Sequence, residues 1–258
     1  MADDANLRVR LVEAEHDVFE LARALDEPVE ADEYHLTQLA LAARSRSLLR
    51  GFIELAEGPA AMAAFALLRP VVEINILMRF LSKSPVLHLA LWHAEGDRGV
   101  LAMVNDYNGH DFLRERWGHA PLTQEERETL AASVTAAQER AHQAGVVGVG
   151  KSGSVLPTTV AQLRAINEPG ADEAYTLAYR TLGADVHAGS RAFIRGSVER
   201  RDNGTAFYSD VVQPADLLPA RALALTTFAS TLAIASQELA LGLEEAVDEV
   251  KHRFVPGG

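Results

Sequence analysis

An arginine and a histidine, Arg180 and His187, are seven residues apart in the run YRTLGADVH. Seven residues is close to two turns of an α-helix, so both side chains would lie on one face. An Arg guanidinium binds phosphate through its planar fork, and a His can transfer a proton near neutral pH. The pair therefore indicates a site for phosphate chemistry. The alternative is a histidine that is satisfied within the core.

A second pair of charged residues, Arg69 and Glu73, lies in the most apolar stretch of the chain, residues 60–81. Residues four apart share a face of a helix. Charged side chains on an otherwise apolar helix are expected to be paired or functional. The pair is therefore either part of a site or an ion pair that fixes the register of the helix.

Gly145–Ser152 reads GVVGVGKS and matches the P-loop pattern G-x-x-x-x-G-K-[ST]. In a P-loop the backbone amides hold phosphates, and the motif lies between a buried strand and a helix. Here a polar helical segment precedes the match, and Gly-Ser-Val-Leu-Pro follows it. The context therefore favours a glycine-rich loop between helices over a nucleotide site.

A second cluster of polar residues contains His88, His93, Glu95 and Asp97. The two histidines are five residues apart, whereas a helical pair of metal ligands is spaced by four. We therefore interpret the cluster as structural, and we predict neither a metal nor a cofactor.

Composition limits the possible classes of protein. The 258 residues contain 36 acidic and 24 basic side chains, a net charge of −12, and no cysteine. An acidic balance is unlike that of a general nucleic-acid coat protein, and the lack of cysteine excludes disulfides and thiolate catalysis. Residues 1–10 do not resemble a signal peptide, and charges interrupt the apolar stretch. We therefore predict a cytoplasmic protein without a membrane segment.

Hydrophobic periodicity predicts an all-α protein, a multi-helix bundle with a small β-hairpin before the C-terminal helix. Helices are predicted over most of the chain, including residues 171–196, and a connector over residues 105–121. Asp32 is a predicted N-cap, and Thr123 with Glu126 forms a predicted capping box. Asn203-Gly204 is the strongest turn signal, so the hairpin is placed at about residues 197–209, inserted in a single domain over residues 1–258.

Two long stretches resemble an uncharacterised bacterial helical family. They are RPVVEINILMRFLSKSPVLHLALWHAEGDR (residues 69–98) and YRTLGADVHAGSRAF (residues 179–193). The resemblance covers roughly residues 60–254. The spacing of Arg180 and His187 is also similar to the Arg-x4–6-His signature of HEPN domains. Many HEPN domains are dimeric, metal-independent ribonucleases in toxin–antitoxin and phage-defence systems.

The HEPN resemblance implies a role for each residue. His187 would transfer the proton of the ribose 2′-hydroxyl, and Arg180 would stabilise charge on the phosphate in the transition state. Glu73 would orient one of them, while Arg69, Tyr179 and Arg191 would contact the substrate. The implied partners are an RNA substrate, a second copy of the chain, and an antitoxin or regulatory protein.

The competing hypothesis is a non-catalytic helical binding or regulatory module. Arg69, Glu73, Arg180 and His187 would then form a buried polar network that holds the helices in register. A catalyst needs Arg180 and His187 to be reachable from solvent, whereas a structural network buries and satisfies them. The sequence leaves both hypotheses open, and with them the question of whether the protein is an enzyme.

Overall fold

The computed structural model describes residues 2–58, 61–117, 122–149, 153–168, 198–200, 206–208 and 214–254. Helices form most of these residues, which confirms the predicted all-α class. In chain order, these helices are α1 (Ala2–Leu21), a 3-10 helix (Ala22–Asp26), α2 (Glu33–Ala56), α3 (Ala61–Lys83), α4 (Pro85–Gly109), α5 (Asp111–Trp117), α6 (Gln124–Gln143), α7 (Thr159–Ile166), α8 (Pro214–Leu239) and α9 (Glu244–Phe254).

The chain divides into two compact units. The first comprises Met1–Arg79 together with Glu168–Gly258, and the second comprises Phe80–Asn167. The first unit therefore contains α1, α2, α8, α9 and most of α3, while the second contains α4 to α7. The single domain over residues 1–258 stays a prediction.

Helix α8 is the core helix of the first unit, because it contacts α1, α2 and α9. Its side chains Leu225, Phe228 and Leu232 are fully buried, and the ring of Phe228 lies 6.4 Å from that of Phe19. Burying an apolar side chain of this size stabilises a protein by about 1.5–3 kcal/mol. Burial of this apolar helix is thus a main source of stability for the unit.

The apolar character of α8 has a second consequence. Of the helices that the structure describes, one stretch, Leu217–Leu239, is long and apolar enough to cross a membrane. Core helices of globular proteins pass the same test of length and composition. Helix α8 packs against three other helices, as a core helix does. Its length and apolar composition are therefore only weak evidence for a membrane segment.

The ends of the helices follow the predicted signals. The side chain of Asp32 accepts a hydrogen bond from the N–H of His35 at 2.9 Å, which confirms the N-cap of α2. The C-terminal helical region divides into α8 and α9, and Gly242, with a φ of +70°, lies between them. Pro219 lies inside α8 without ending it.

The second unit packs α4 against α6 around a small apolar cluster. The cluster consists of Leu91, Ala94, Ala137, Ala141 and Val155. Its alanines allow the two helices to approach closely, since small side chains shorten the distance between helix axes. The predicted capping box at the start of α6 is also confirmed. The N–H of Glu126 donates to Oγ1 of Thr123, and the N–H of Thr123 donates to the carboxylate of Glu126.

The predicted connector over residues 105–121 is wrong for most of its length. Helix α4 continues to Gly109, and α5 occupies Asp111–Trp117. The Gly, Asn and Asp residues in this stretch have low helix propensity, which suggested a loop. Val104, one residue before the stretch, is the last buried residue of α4, and the described residues from 105 to 117 are mostly exposed. Extending a helix that is already formed costs far less than starting one, so α4 continues beyond its packed part to Gly109.

Two three-residue strands precede α8. Val198–Arg200 pairs antiparallel with Ala206–Tyr208, so that Val198 is opposite Tyr208 and Arg200 is opposite Ala206. Residues 201–205, which contain the predicted Asn203-Gly204 turn, lie outside the described residues. The hairpin as a whole, at about residues 197–209, therefore stays a prediction.

Candidate functional site

Arg69 and Glu73 make the contact expected from their spacing of four residues on α3. The Nε of Arg69 donates a hydrogen bond to Oε1 of Glu73 at 3.0 Å. The two side chains are 19% and 39% exposed, so solvent reaches this part of α3. An ion pair exposed to this extent contributes only about 0–1 kcal/mol to stability. Its exposure is therefore compatible with a role in binding as well as with a structural role.

The other four predicted site residues, Tyr179, Arg180, His187 and Arg191, lie outside the described residues. So does the helix predicted over residues 171–196. Their proximity to Arg69 and Glu73 stays a prediction, and so do the roles of all six residues.

Beginning two residues beyond Glu73, a polar network connects α3 to α8. The amide nitrogen of Asn75 donates to Oγ1 of Thr231 at 3.1 Å and to the carbonyl of Thr227 at 3.4 Å. Its amide oxygen accepts from Nε of Arg79 at 3.2 Å. Asn75 and Thr231 are buried, and every atom of the Asn75 amide group is used. The network therefore fixes the orientation of this amide and, through it, one side of the Arg79 guanidinium.

Arg79 continues the network on its other side. Its Nη2 donates to Oγ of Ser230 on α8 at 2.6 Å. Its Nη1 forms an ion pair with Glu168, which follows α7. One guanidinium thus contacts its own helix, α8 and the chain beyond α7.

The sequence pattern alone did not mark this network as a site. The signal was present, because Asn75 and Arg79 are polar, four residues apart, and lie in a helix that is otherwise apolar. The partners Ser230 and Thr231 are more than 150 residues away and lie in an apolar helix. Hydroxyl groups are common in helices for many reasons, so nothing in the local sequence marks these two as partners.

The P-loop-like stretch is a packed connector between α6 and α7. Val146 and Val149 pack against the apolar cluster of the second unit. Gly148 has a φ of +95°, and a Cβ at this position would lie 3.0 Å from the Cβ of Ala161. Residues 150–152 lie outside the described part. Within residues 122–149 and 153–168 there is no strand before the motif, and α7 begins only at Thr159, so the context of a P-loop is missing.

Glu95 on α4 binds the segment that follows this stretch. Its Oε2 accepts hydrogen bonds from the N–H groups of Val155 (2.7 Å) and Leu156 (3.2 Å) and from Oγ of Ser154 (3.1 Å). Burial raises the pKa of Glu95, but hydrogen bonds from Arg98, from both amides and from Ser154 together hold the pKa below its usual range. These backbone amides therefore already bind a carboxylate of the chain itself.

Two further polar residues of α4, His88 and Asp97, have structural partners. His88 is buried, its ring stacks on that of Phe80 with 3.7 Å between centroids, and burial lowers its pKa. Asp97 accepts a hydrogen bond from Ser133 on α6 at 2.7 Å. Among the residues that the structure describes, no group of three or more His, Asp or Glu side chains could hold a metal ion. The contacts of His88 and Asp97 are compatible with the structural interpretation of these two residues, and the prediction that the cluster binds no metal stays a prediction.

A family model matches residues 35–205, more than half of the chain. It describes a family of unknown function (DUF5677). The match contains all six predicted site residues, whereas α8 and α9 lie beyond it. A search of the curated proteins finds no match. A search of the solved structures finds none either.

Proposed function

The chain belongs to the DUF5677 family, a family of unknown function, and from this premise we propose that it is a HEPN-like, metal-independent ribonuclease. Arg180 and His187 carry the reaction in this proposal. Glu73 orients one of them, and Arg69, Tyr179 and Arg191 contact the RNA.

The observation that supports the proposal is the pair of Arg69 and Glu73. The carboxylate of Glu73 holds the guanidinium of Arg69 through its Nε, at a place on α3 that solvent reaches. A guanidinium fixed by a carboxylate is preorganised for phosphate binding, since less side-chain freedom is lost when the phosphate arrives. A partly exposed pair of this kind suits a polyanionic ligand better than a buried structural network does.

The proposed reaction needs no metal or cofactor. His187 removes the proton of a ribose 2′-hydroxyl, and the 2′-oxygen attacks the adjacent phosphorus. The bond between phosphorus and the 5′-oxygen breaks, and the 5′-oxygen takes a proton from water and leaves as a hydroxyl. The proton that His187 removed passes to solvent, which restores the neutral imidazole. Arg180 stabilises the charge that builds up on the phosphate oxygens. The products are a 2′,3′-cyclic phosphate and a 5′-hydroxyl end.

The second candidate is a non-catalytic helical module, and the network of Asn75 and Arg79 favours it. These two polar residues lie on the same helix as Arg69 and Glu73, and their hydrogen bonds connect α3 to α8. If Arg180 and His187 extend this network, they stabilise the fold and take no part in chemistry.

Cleavage of RNA by the full-length protein in EDTA separates the two candidates. The wild type is compared with Arg180→Ala and His187→Ala, and with the controls Arg164→Ala and His142→Ala, whose side chains are exposed. We expect the first two variants to lose about 10²- to 10⁴-fold in rate while remaining folded, and the controls to keep full activity. An RNA with a single 2′-deoxyribose at the cleaved position should resist cleavage.

Two outcomes contradict the proposal that the protein is a ribonuclease. One is a wild type that does not cleave RNA, and the other is cleavage that persists in both variants. A large drop in the melting temperature of His187→Ala, without any activity to lose, favours the structural module.

The proposal also includes a cytoplasmic homodimer and an antitoxin or regulatory protein partner, as the HEPN resemblance implies. The mass of the purified protein in solution, measured by light scattering, tests the dimer. A monomer at concentrations at which the protein cleaves RNA contradicts it.

A further inference from the structure

Helix α4 has one side that packs within the second unit and another that is open to solvent. On the packed side, Leu91 and Ala94 belong to the apolar cluster shared with α6. The open side follows a spacing of three and four residues, as one face of a helix does. We call it the open face of α4, and it consists of five exposed residues: His93, Gly96, Gly99, Val100 and Met103.

The open face is apolar, although the protein as a whole is acidic. Met103 is 64% exposed and Val100 is 39% exposed. The charged side chains in this part of α4, Glu95, Asp97 and Arg98, make contacts within the second unit. Exposed apolar side chains that lie together mark interaction surfaces. Because the chain has a net charge of −12, a face without acidic side chains is also where repulsion between two copies is weakest.

Two residues of the open face, Gly96 and Gly99, are glycines in the interior of a helix. Glycine lowers the stability of a helix relative to alanine, because it loses more backbone freedom on folding. A Cβ at either position would meet no atom of the described residues within 4 Å. Contacts within the chain therefore do not require glycine here. Two such glycines beside exposed apolar side chains fit a face on which the backbone of another helix packs closely.

The order of small and large residues along the open face is self-complementary. Both glycines precede Val100 and Met103 in the chain. A second copy of α4 that runs antiparallel, related by a two-fold axis beside Gly99 and Val100, reverses this order. Met103 then lies over Gly96 of the second copy, and Val100 lies over Gly99. A parallel pair in register would instead place Met103 against Met103 and leave the glycines facing each other.

The same two-fold axis pairs residues at the ends of the open face. His93 falls opposite Asp106 of the second copy, and both are exposed. An imidazole N–H donates readily to a carboxylate, so this pair is complementary in charge. Val86, which is exposed near the start of α4, falls near Phe112 of the second copy, which is 66% exposed just beyond the end of α4. Each of these contacts occurs twice in a two-fold arrangement.

We propose that the open face of α4 is the contact between two copies of this chain, packed antiparallel about a two-fold axis at Gly99 and Val100. A stable interface buries about 1,200 Å² or more in total, and the contacts of Val86 with Phe112 extend this one beyond a single pair of helices. The inference rests on the proposed function only in that the latter includes a homodimer, for which it names the surface. It does not depend on cleavage of RNA.

The first test measures the mass of the full-length protein in solution by light scattering over a range of concentrations. The wild type is compared with Gly99→Leu and Met103→Glu, and with the control Asn105→Leu, which is exposed on α4 roughly half a turn around the helix from Met103. We expect the wild type and the control to have twice the mass of one chain. The two variants should raise the dissociation constant by at least about 30-fold, the effect of a residue at the centre of an interface.

Circular dichroism separates a broken contact from a broken fold. Because a side chain at Gly99 meets open space within the described part of the chain, Gly99→Leu should keep the full helix content while it loses the dimer.

The second test measures the register by crosslinking. The chain contains no cysteine, so Gly96→Cys and Met103→Cys introduce single thiols. A disulfide needs Cα atoms within about 7 Å. An oxidised mixture of the two variants should form covalent dimers with one chain of each. Either variant alone should form far fewer, because the two copies of residue 96 are separated by about 10 Å along the helix axes.

The outcomes that overturn the proposal are distinct. A wild type that is monomeric at every concentration overturns it, and is the result expected if another segment of the chain or a different protein covers the open face. A dimer that persists in Gly99→Leu and Met103→Glu overturns the surface and retains the homodimer. Crosslinking of each cysteine variant alone, as readily as in the mixture, overturns the antiparallel register. A wild-type dimer that responds as expected but does not cleave RNA supports the surface and overturns the ribonuclease alone.

Discussion

Two arginines on α3 have the same local pattern and different surroundings. Arg69 binds Glu73, four residues later, and Arg79 binds Asn75, four residues earlier. The first contact joins side chains that are 19% and 39% exposed, so solvent screens it. The second is one part of a network that also contains Ser230 and Glu168. Spacing along a helix therefore predicts the local partner of a charged residue, but not the distant partners that decide its role.

The same contrast applies to carboxylates. Glu73 accepts a hydrogen bond from an Arg on its own helix. Glu95 also binds an Arg on its own helix, and in addition it accepts bonds from two backbone amides and a hydroxyl of a distant loop. A carboxylate that holds a loop contributes to the fold of its unit, because the amides would lose their partner without it.

The largest expected difference in stability is that between Arg79→Ala and Arg69→Ala. Arg79→Ala should lower the free energy of unfolding by about 2–3 kcal/mol, because the hydrogen bonds of a charged group to Asn75 and Ser230 are lost. The ion pair with Glu168 adds little to this loss, since its side chains are 32% and 38% exposed. Arg69→Ala should lower it by less than about 1 kcal/mol, because its pair with Glu73 is partly exposed. Urea titration followed by circular dichroism measures both, with Arg164→Ala as the control. Equal losses for the two arginines would show that the network of Arg79 contributes nothing beyond a local pair.

A smaller effect, with a characteristic pH dependence, is expected from Glu95→Gln. At pH 7 this variant should lose about 2 kcal/mol of unfolding free energy, and Glu73→Gln less than about 1 kcal/mol. The folded-state pKa of Glu95 lies below its usual range. The stabilisation is therefore complete above the usual carboxyl pKa of about 4.3 and is lost as the pH falls through the folded-state pKa.

Urea titrations of the wild type and Glu95→Gln at pH 7 and at about pH 3 test this dependence. The difference between the two proteins should shrink on acidification. A difference that is independent of pH would refute the view that the charge of Glu95, and not only its shape, holds the loop.

The smallest expected difference in stability is that between alanine substitutions at two buried serines, Ser45 and Ser236. Ser45 on α2 is fully buried, and its Oγ has no hydrogen-bond partner within the described part of the chain. Ser236 on α8 is equally buried, but it accepts from the N–H of Leu243 at 2.8 Å and donates to Glu244 at 2.9 Å.

Ser45→Ala should leave the stability unchanged or raise it by up to about 1 kcal/mol, because it removes a buried polar group without a partner. Ser236→Ala should cost about 1 kcal/mol. Thermal unfolding of the two variants side by side measures the difference. A loss in Ser45→Ala as large as that in Ser236→Ala would mean that Ser45 has a partner, such as a bound water.

Much of the fold could be predicted because helical signals are local. Asp32 and Thr123 start helices through hydrogen bonds to residues three positions later, so their neighbours in the sequence are sufficient to identify them. The stretch over residues 105–121 was predicted as a connector because its composition opposes a helix, but α4 continues to Gly109 from a packed part whose last buried residue is Val104. Packing upstream depends on the partner helix, and no local pattern within the stretch reveals it.

The sequence by itself determined the all-α class, the caps of α2 and α6, and the ion pair of Arg69 and Glu73. The caps and the ion pair depend on residues within one helical turn of one another. The tertiary structure alone decided that Arg79 binds Ser230 and Glu168, and that Glu95 holds the chain at Ser154–Leu156. Those contacts bring together residues 59–151 positions apart, and only the packing of helices around a common core determines which of them meet.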